Sequence, residues 1–325
     1  MIMTIEILTP TSRDHWLSLR GETVGASEVA ALLGVHPYTT PYELFAIKTG
    51  MYKRAVEGTR IEGNSIFLPP MERGNFLEEK AFELAQMMKP DWAITPNQIP
   101  SGNIFRDLDT GISSTPDAFI VDPDRLGRGT LQVKNIEPSI FRKSWKNEDG
   151  EIEPPLWIAV QAMVDAMLSG CTWCAVGVMV IGFEVEFHIF EIPMMPELWM
   201  KIVDVVEDFW NRVKNNNPYQ ADYGRDGAVI AGLYQDDNGA MVDLSADNRL
   251  PSLLGRRDEL KEIEKAGSDA AKERKAIDTE IIEKLGHAST GVLSDGRIVE
   301  AKTIRRAGYE VQASSYRTVK IKKGK

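Results

Sequence analysis

The sequence predicts an α/β fold, a mixed central sheet flanked by helices, over about its first 220 residues. Three observations carry that expectation. Apolar residues recur at helical spacing in several segments, among them Leu77, Ala81, Leu84, Ala85 and Met88. Strand-type runs after Pro100 come in pairs separated by Pro and Gly turn chemistry. Helices then alternate with strands up to about residue 213, the pattern of helices packed on a sheet.

Residues 14–20 read as a short helix, followed by a turn at 21–26 and a second helix over 27–33 closed by Gly34. For the third helix, Thr40, Pro41 and Glu43 supply an N-cap, a first-turn proline and a capping-box acid, and Gly50 stands where a C-terminal glycine belongs. A longer helix covers 72–88. Strands at 118–121 and 130–134 flank a turn-rich stretch and predict a hairpin. A helix at 157–168, strands at 175–181 and 184–190 meeting at Gly182, and a helix at 197–213 complete the domain, 1–220. A polar linker is expected over 221–245. Beyond it, residues 246–325 read as a C-terminal helical arm with Leu253, Leu260, Ile263, Ile277, Ile281 and Leu285 along a seam, a small β-hairpin turning at Ser294-Asp295-Gly296-Arg297, and a basic tail from Arg317.

The chain has 325 residues, 43% hydrophobic and 26% charged, ordinary for a globular protein. No apolar run approaches the roughly 20 residues of a membrane span, and the first ten residues lack a signal peptide's basic start and apolar core, so no membrane partner and a cytoplasmic location are expected. Two cysteines make no disulfide framework, in keeping with a reducing compartment. A net charge of -10 argues against coating DNA through a broad basic face, which would need many phosphates neutralised by Lys and Arg. It leaves room for a DNA enzyme, because a site that gathers carboxylates for a divalent ion is itself acidic.

The candidate chemistry lies at Pro116-Asp117 and Gln132-Val133-Lys134. Side chains alternate along a strand, so Gln132 and Lys134 share one face while Val133 turns to the core, and the hairpin can bring Asp117 beside them. Asp117 and the side chain at 132 would hold a divalent ion, and Lys134 would orient a water or stabilise charge on the phosphorane. On the helix over 72–88, Glu78 shares a stripe with Gly74, Phe82 and Ala85 and points inward, whereas Glu79 sides with Asn75, Glu83 and Gln86. Taken singly, Glu78 reads as a solvated helix acid, and a Pro-Asp followed by polar-x-Lys recurs by chance in many proteins.

Order and spacing are more specific. Arg20-Gly21, Gly25-Ala26-Ser27-Glu28, Gly34, Tyr38-Thr39-Thr40-Pro41, Leu44, Gly74 with Glu78, Ser114-Thr115-Pro116-Asp117, Gln132-Val133-Lys134, and Gln161 with Gly170 follow one another across residues 13–190. The series resembles the YqaJ-type viral recombinase and bacteriophage lambda exonuclease family, within the PD-(D/E)xK nuclease superfamily. The resemblance implies a restriction-endonuclease-like core and a Mg²⁺-dependent 5′-to-3′ double-strand DNA exonuclease, with Mn²⁺ as a substitute, that leaves 3′ single strands. It implies a catalytic set of Asp117, Gln132, Lys134, Glu78 and Gln161, and a metal set of Asp117, Gln132, Val133, Glu78 and Asp107, with Asp109 a close competitor for the last. Arg20 and Ser27 would receive the 5′-phosphate; a helix start beside an Arg fork suits an anion, although Arg20 can also simply end its helix and Ser27 simply cap the next. Implied partners are double-stranded DNA ends, further copies in a ring-like oligomer such as a trimer, and a single-strand annealing protein. The arm could hold subunits, touch DNA through its tail, or recruit that partner.

One position departs from the family. Gln132 stands where the pattern has Glu, and an amide oxygen can touch a hard cation without supplying negative charge. Slowed turnover is the expected consequence. A natural variant and a deliberate Glu-to-Gln change both account for it; the near-isosteric exchange favours the second. A restriction-like endonuclease and a non-catalytic module binding DNA ends or protein are the competing functions. Cys171 and Cys174 lack the further ligands a zinc or iron–sulfur site needs and read as buried thiols. The four histidines are scattered without metal-ligand spacing, and the Met and Trp residues at 194–199 read as core.

Overall fold

A computed structural model of the chain describes residues 3–55, 58–99, 101–147, 149–234, 249–285, 290–292 and 298–300. Contacts divide the chain into two units, Met1–Tyr234 and Gln235–Lys325. The first unit opens with β1 (Ile5–Leu8), α1 (Arg13–Gly21), β2 (Val24–Gly25), α2 (Ala26–Leu32) and α3 (Pro41–Lys48). Next come β3 (Arg60–Glu62), β4 (Ser65–Phe67), α4 (Pro70–Met88), β5 (Ala93–Pro96), β6 (Ile104–Asp107), β7 (Ile112–Ser114), β8 (Ala118–Val121) and β9 (Arg128–Ile136). It closes with α5 (Pro138–Ser144), α6 (Leu156–Leu168), β10 (Trp173–Ile181), β11 (Val185–Ile192), α7 (Pro196–Lys214) and α8 (Gly227–Leu233). The second unit contains α9 (Leu250–Leu285) and a pair, β12 (Thr290–Val292) and β13 (Ile298–Glu300), joined antiparallel with Thr290 opposite Glu300. The turn expected at 294–297 and the basic tail lie outside the described residues.

The central sheet runs β11-β10-β9-β8-β5. It is mixed: β9 and β10 are parallel and the other neighbours antiparallel. Parallel neighbours need a crossover, and α5 and α6 lie in the chain between them. Strand alternation sorts the faces. Leu131 and Val133 pack with Ala81, Phe82 and Ala85 of α4 on one side. On the other side Val176, Val178 and Val180 join the larger core formed with α2, α6 and α7. The fold is therefore helix, mixed sheet, helix, as expected.

The caps behave as their residues dictate. Thr40 Oγ1 accepts the Glu43 N–H at 3.0 Å, and Gly34 and Gly50 both take φ of +73°, the left-handed conformation that ends a helix at little cost in glycine. A second sheet, β1-β6-β7-β2, was not foreseen. Its strands have two to four residues, too short for alternation to announce them, and two of its three pairings, β1 with β6 and β2 with β7, span long stretches of chain. Residues 227–233, within the stretch expected as linker, form α8, whose Val229 is buried. Among the described residues no helix is long and apolar enough to cross a membrane.

Cys171 and Cys174 are buried free thiols, and burial pushes the Cys174 pKa up to about 12.

One close approach locks the sheet. Gly129 of β9 lies opposite Trp173 of β10, and a Cβ there would stand 2.4 Å from the indole ring. That ring is already held edge-on by Trp92 at 5.5 Å between centroids and covered by Arg125 at 4.8 Å. Gly129→Ala should therefore destabilise the domain by about 1–3 kcal/mol, read from urea unfolding, through overpacking alone. An unchanged midpoint would mean that Trp173 has room to move.

Candidate active site

The two sheets meet through residues 113–117. Chain leaving β7 passes Thr115, Pro116 and Asp117 before entering β8, and Ser113, Ser114, Thr115, Pro116 and Asp117 all line one cavity of about 510 Å³. The antiparallel register, with Ala118 opposite Leu131, carries Asp117 to Gln132 one step on. Asp117 Oδ2 accepts the Val133 N–H at 2.8 Å. The Gln132 amide nitrogen also donates to Asp117 Oδ2 and faces the Val133 carbonyl at 3.5 Å. Gln132 Oε1 accepts from Gln161 Nε2 at 2.8 Å, and Gln161 Oε1 accepts from Lys134 Nζ at 3.2 Å.

Asp117, Gln132, Gln161 and Lys134 thus form one hydrogen-bonded line across the cavity floor. Gln132 is 3% exposed and Gln161 8%, so each needs these partners.

Glu78 joins from α4 and lines the same cavity. Burial, then the Asp117 charge, push its pKa up to about 7, against the pull of Lys134 and Gln98. Burial also raises Asp117, against the pull of Lys134, the Val133 N–H and the Gln132 amide. The opposite wall carries the expected anion residues. Arg20 Nη2 donates to Ser27 Oγ at 3.0 Å, and the guanidinium lies 4.7 Å over the Trp16 ring. Ser27 is not the N-cap of α2: Gly25 holds that place, its N–H accepted by Glu28 Oε2 at 2.8 Å, which leaves the Ser27 hydroxyl to Arg20.

Asp107 is a correction. It is fully buried on β6, where Oδ1 accepts the Thr4 N–H at 3.1 Å and Oδ2 the Thr110 hydroxyl at 2.7 Å. Its carboxylate organises the β6–β7 turn and the approach of β1, and it forms no part of the cavity wall. Asp109 binds the same Thr4 N–H at 3.1 Å. An acid near the right place in sequence had been spent on a turn.

Asp165, Trp16 and Trp157 line the cavity and were missed. Asp165 is 1% exposed, and among the described residues neither its carboxylate oxygens nor the Ser114 hydroxyl, also on the cavity, has a hydrogen-bond partner at normal geometry, although the Thr115 N–H lies close enough to favour the Asp165 charge. Burial first, then the Asp117 charge, raise the Asp165 pKa well above the carboxylate range. The available signal was an acid four residues beyond Gln161, one turn along an otherwise apolar helix.

Among the described residues no three His, Cys, Asp or Glu side chains are grouped to hold a metal. The oxygen donors nonetheless suit a hard cation: the Asp117 carboxylate, the Val133 carbonyl, and the Gln132 amide oxygen once the amide is turned over, with Glu78 close by. Burial raises the pKa of Asp117, Glu78 and Asp165 alike, so a bare negative charge is disfavoured on each. In the arrangement seen, the amide nitrogen of Gln132 reaches two of these oxygens, of Asp117 and Val133.

A family model, the YqaJ-like viral recombinase domain, matches residues 15–172. Among solved structures, the chain is similar to an alkaline exonuclease from Laribacter hongkongensis at 16% identity, covering 67% of this chain and 98% of that one with a TM-score of 0.46. The same enzyme in complex with dAMP matches with a TM-score of 0.45, also at 16% identity and with the same coverage. A phage-related exonuclease from Haemophilus somnus matches at 14% identity, over 60% of this chain and 96% of that one, with a TM-score of 0.35. No curated protein matches the sequence.

Glu78 makes the electrostatics testable. Its folded pKa is about 7 against an ordinary 4.5, so between these values the unfolded chain binds fewer protons than the folded one. Stability from this group is complete below pH 4.5 and is lost as pH rises through 7. Allowing for solvent screening, the loss is about 1–2 kcal/mol. Urea unfolding in EDTA should show that slope in the unaltered chain and a flatter one in Glu78→Gln; identical slopes would assign the proton elsewhere.

Proposed function

Residues 15–172 match the YqaJ-like viral recombinase domain family, and from that premise we propose that the protein is a Mg²⁺-dependent 5′-to-3′ exonuclease on double-stranded DNA, slowed by Gln132. The observation that carries the reading is the hydrogen-bonded line from Asp117 through Gln132 and Gln161 to Lys134, laid along a cavity whose wall holds Arg20 and Ser27.

Each residue then has a task. Asp117, the Val133 carbonyl and the turned amide of Gln132 would hold the cation, with Glu78 beside them, and Mn²⁺ would serve as a substitute. A divalent cation held there would supply Lewis-acid polarisation of a phosphate and a more acidic water. Lys134, held by Gln161 Oε1, places an ammonium where charge develops on the phosphorane. Arg20 and Ser27 take the terminal 5′-phosphate, which makes cutting depend on an end. The 3′ strand left behind is a substrate for a single-strand annealing protein, and a ring-like homo-oligomer such as a trimer would keep the duplex engaged.

Gln132 lowers the charge that holds the cation by one unit, and its amide nitrogen satisfies Asp117 without any cation. That second fact favours an alternative, a non-catalytic module that binds DNA ends. A Gln132→Glu variant separates the two. The exonuclease reading expects degradation of linear duplex in Mg²⁺ to rise roughly 100-fold, with a covalently closed circle left intact. Cutting of the circle would indicate a restriction-like endonuclease. No activity in Mg²⁺ or Mn²⁺, with ends still bound, would establish the binding module.

A further inference from the structure

The wall that carries Arg20 and Ser27 is braced from behind by an ion pair, buried at its lysine end, that the chemistry above does not use. Lys48, the last residue of α3, has 3% of its side chain exposed, and its ammonium lies 2.8 Å from Glu28 Oε2. The same ammonium donates to the Arg20 carbonyl oxygen at 2.9 Å. That carbonyl ends α1, where it also takes backbone N–H groups of the residues just beyond the helix, Thr23 at 3.4 Å among them. Glu28 Oε2 also accepts the Gly25 N–H at 2.8 Å, immediately before α2. One ammonium therefore ties the end of α1 to the start of α2, the two segments from which Arg20 and Ser27 project.

The fit between those segments is tight. A Cβ on Gly25 would stand 3.2 Å from Arg20 Nη2, so a few tenths of an ångström decide where the guanidinium rests. Its 3.0 Å bond to Ser27 Oγ has the same sensitivity. Lysine suits the brace because its compact ammonium carries several donors that can serve a carboxylate and a carbonyl at once. A buried ammonium also needs such partners to remain buried.

We propose that Lys48, through its pair with Glu28, is a positioning residue for recognition of a terminal phosphomonoester: it sets the separation of the α1 end and the α2 start and so aims the Arg20 fork and the Ser27 hydroxyl. This rests on the reading of the cavity as the site for a DNA 5′ end. A brace that served stability alone would weaken binding of every DNA end alike. A positioning brace acts on the phosphate.

The test is fluorescence anisotropy in EDTA with the full chain and two blunt duplexes, one 5′-phosphorylated and one 5′-hydroxylated. The unaltered chain is expected to bind the phosphorylated end about tenfold more tightly. Lys48→Met is expected to bring that ratio within about twofold while affinity for the hydroxyl end stays the same. Because the single variant leaves Glu28 without its counter-charge, Lys48→Met/Glu28→Gln, which removes both charges and keeps an acceptor for the Gly25 N–H, decides the matter if the single variant does not fold; the same loss is expected. A retained ratio, with or without an equal drop on both ends, overturns the role of Lys48 and leaves the end-binding reading standing. Equal affinity of the unaltered chain for the two ends overturns both.

Discussion

The antiparallel pairing of β8 with β9 is the constraint on which the rest of the site depends. With Ala118 opposite Leu131, Asp117 has to meet Gln132 and the Val133 N–H, because the strands continue in register by one residue. The same alternation sends Leu131 and Val133 toward α4 and leaves Gln132 and Lys134 on the side of α6, where Gln161 closes the line. A slip of one residue would turn the polar set into the α4 core and the apolar set into the cavity. Burial of Leu131 and Val133 is therefore what holds the chemistry in place, and the chemical residues contribute little to holding themselves.

Acid crowding in the cavity has a physical logic of its own. Asp117, Glu78 and Asp165 arrive from the chain before β8, from α4 and from α6, and burial makes each carboxylate harder to ionise. Groups so arranged favour either protons or a bound cation. Gln132 adds a third solution, since its amide hydrogens can satisfy Asp117 and the Val133 carbonyl directly. On the proposed reading, one atom type exchanged at that position would shift the balance between a metal centre and a neutral hydrogen-bonded floor, with hardly any change of shape.

The small sheet matters because it fixes what faces that floor. Pairing of β2 with β7 sets Gly25 against Ser113, and the chain from β7 runs straight on to Asp117. The segment that ends the small sheet is therefore the one that begins the acidic site, and the α1–α2 wall with Arg20 cannot move independently of it. Asp107 belongs to this scaffold: buried, bonded to Thr4 and Thr110, it holds the turn from β6 into β7.

The sequence by itself determined the helices whose caps and apolar stripes are local, such as α3 with Thr40, Pro41 and Gly50, and the hairpin whose alternation separates Gln132 and Lys134 from Val133. It determined Glu78 as the inward acid of its helix, because a 3.6-residue period assigns faces without knowledge of neighbours. Tertiary structure alone decided the second sheet, whose two- to four-residue strands are too short to show a period and include long-range pairings such as β2 with β7, and the fate of acids similar in sequence: Asp107 absorbed by a turn, Asp165 placed on the cavity. The reason is common to both. Periodicity records which way a side chain leaves its own backbone, whereas its partners are set by segments that only the folded chain brings together, as α3 brings Lys48 beneath Arg20.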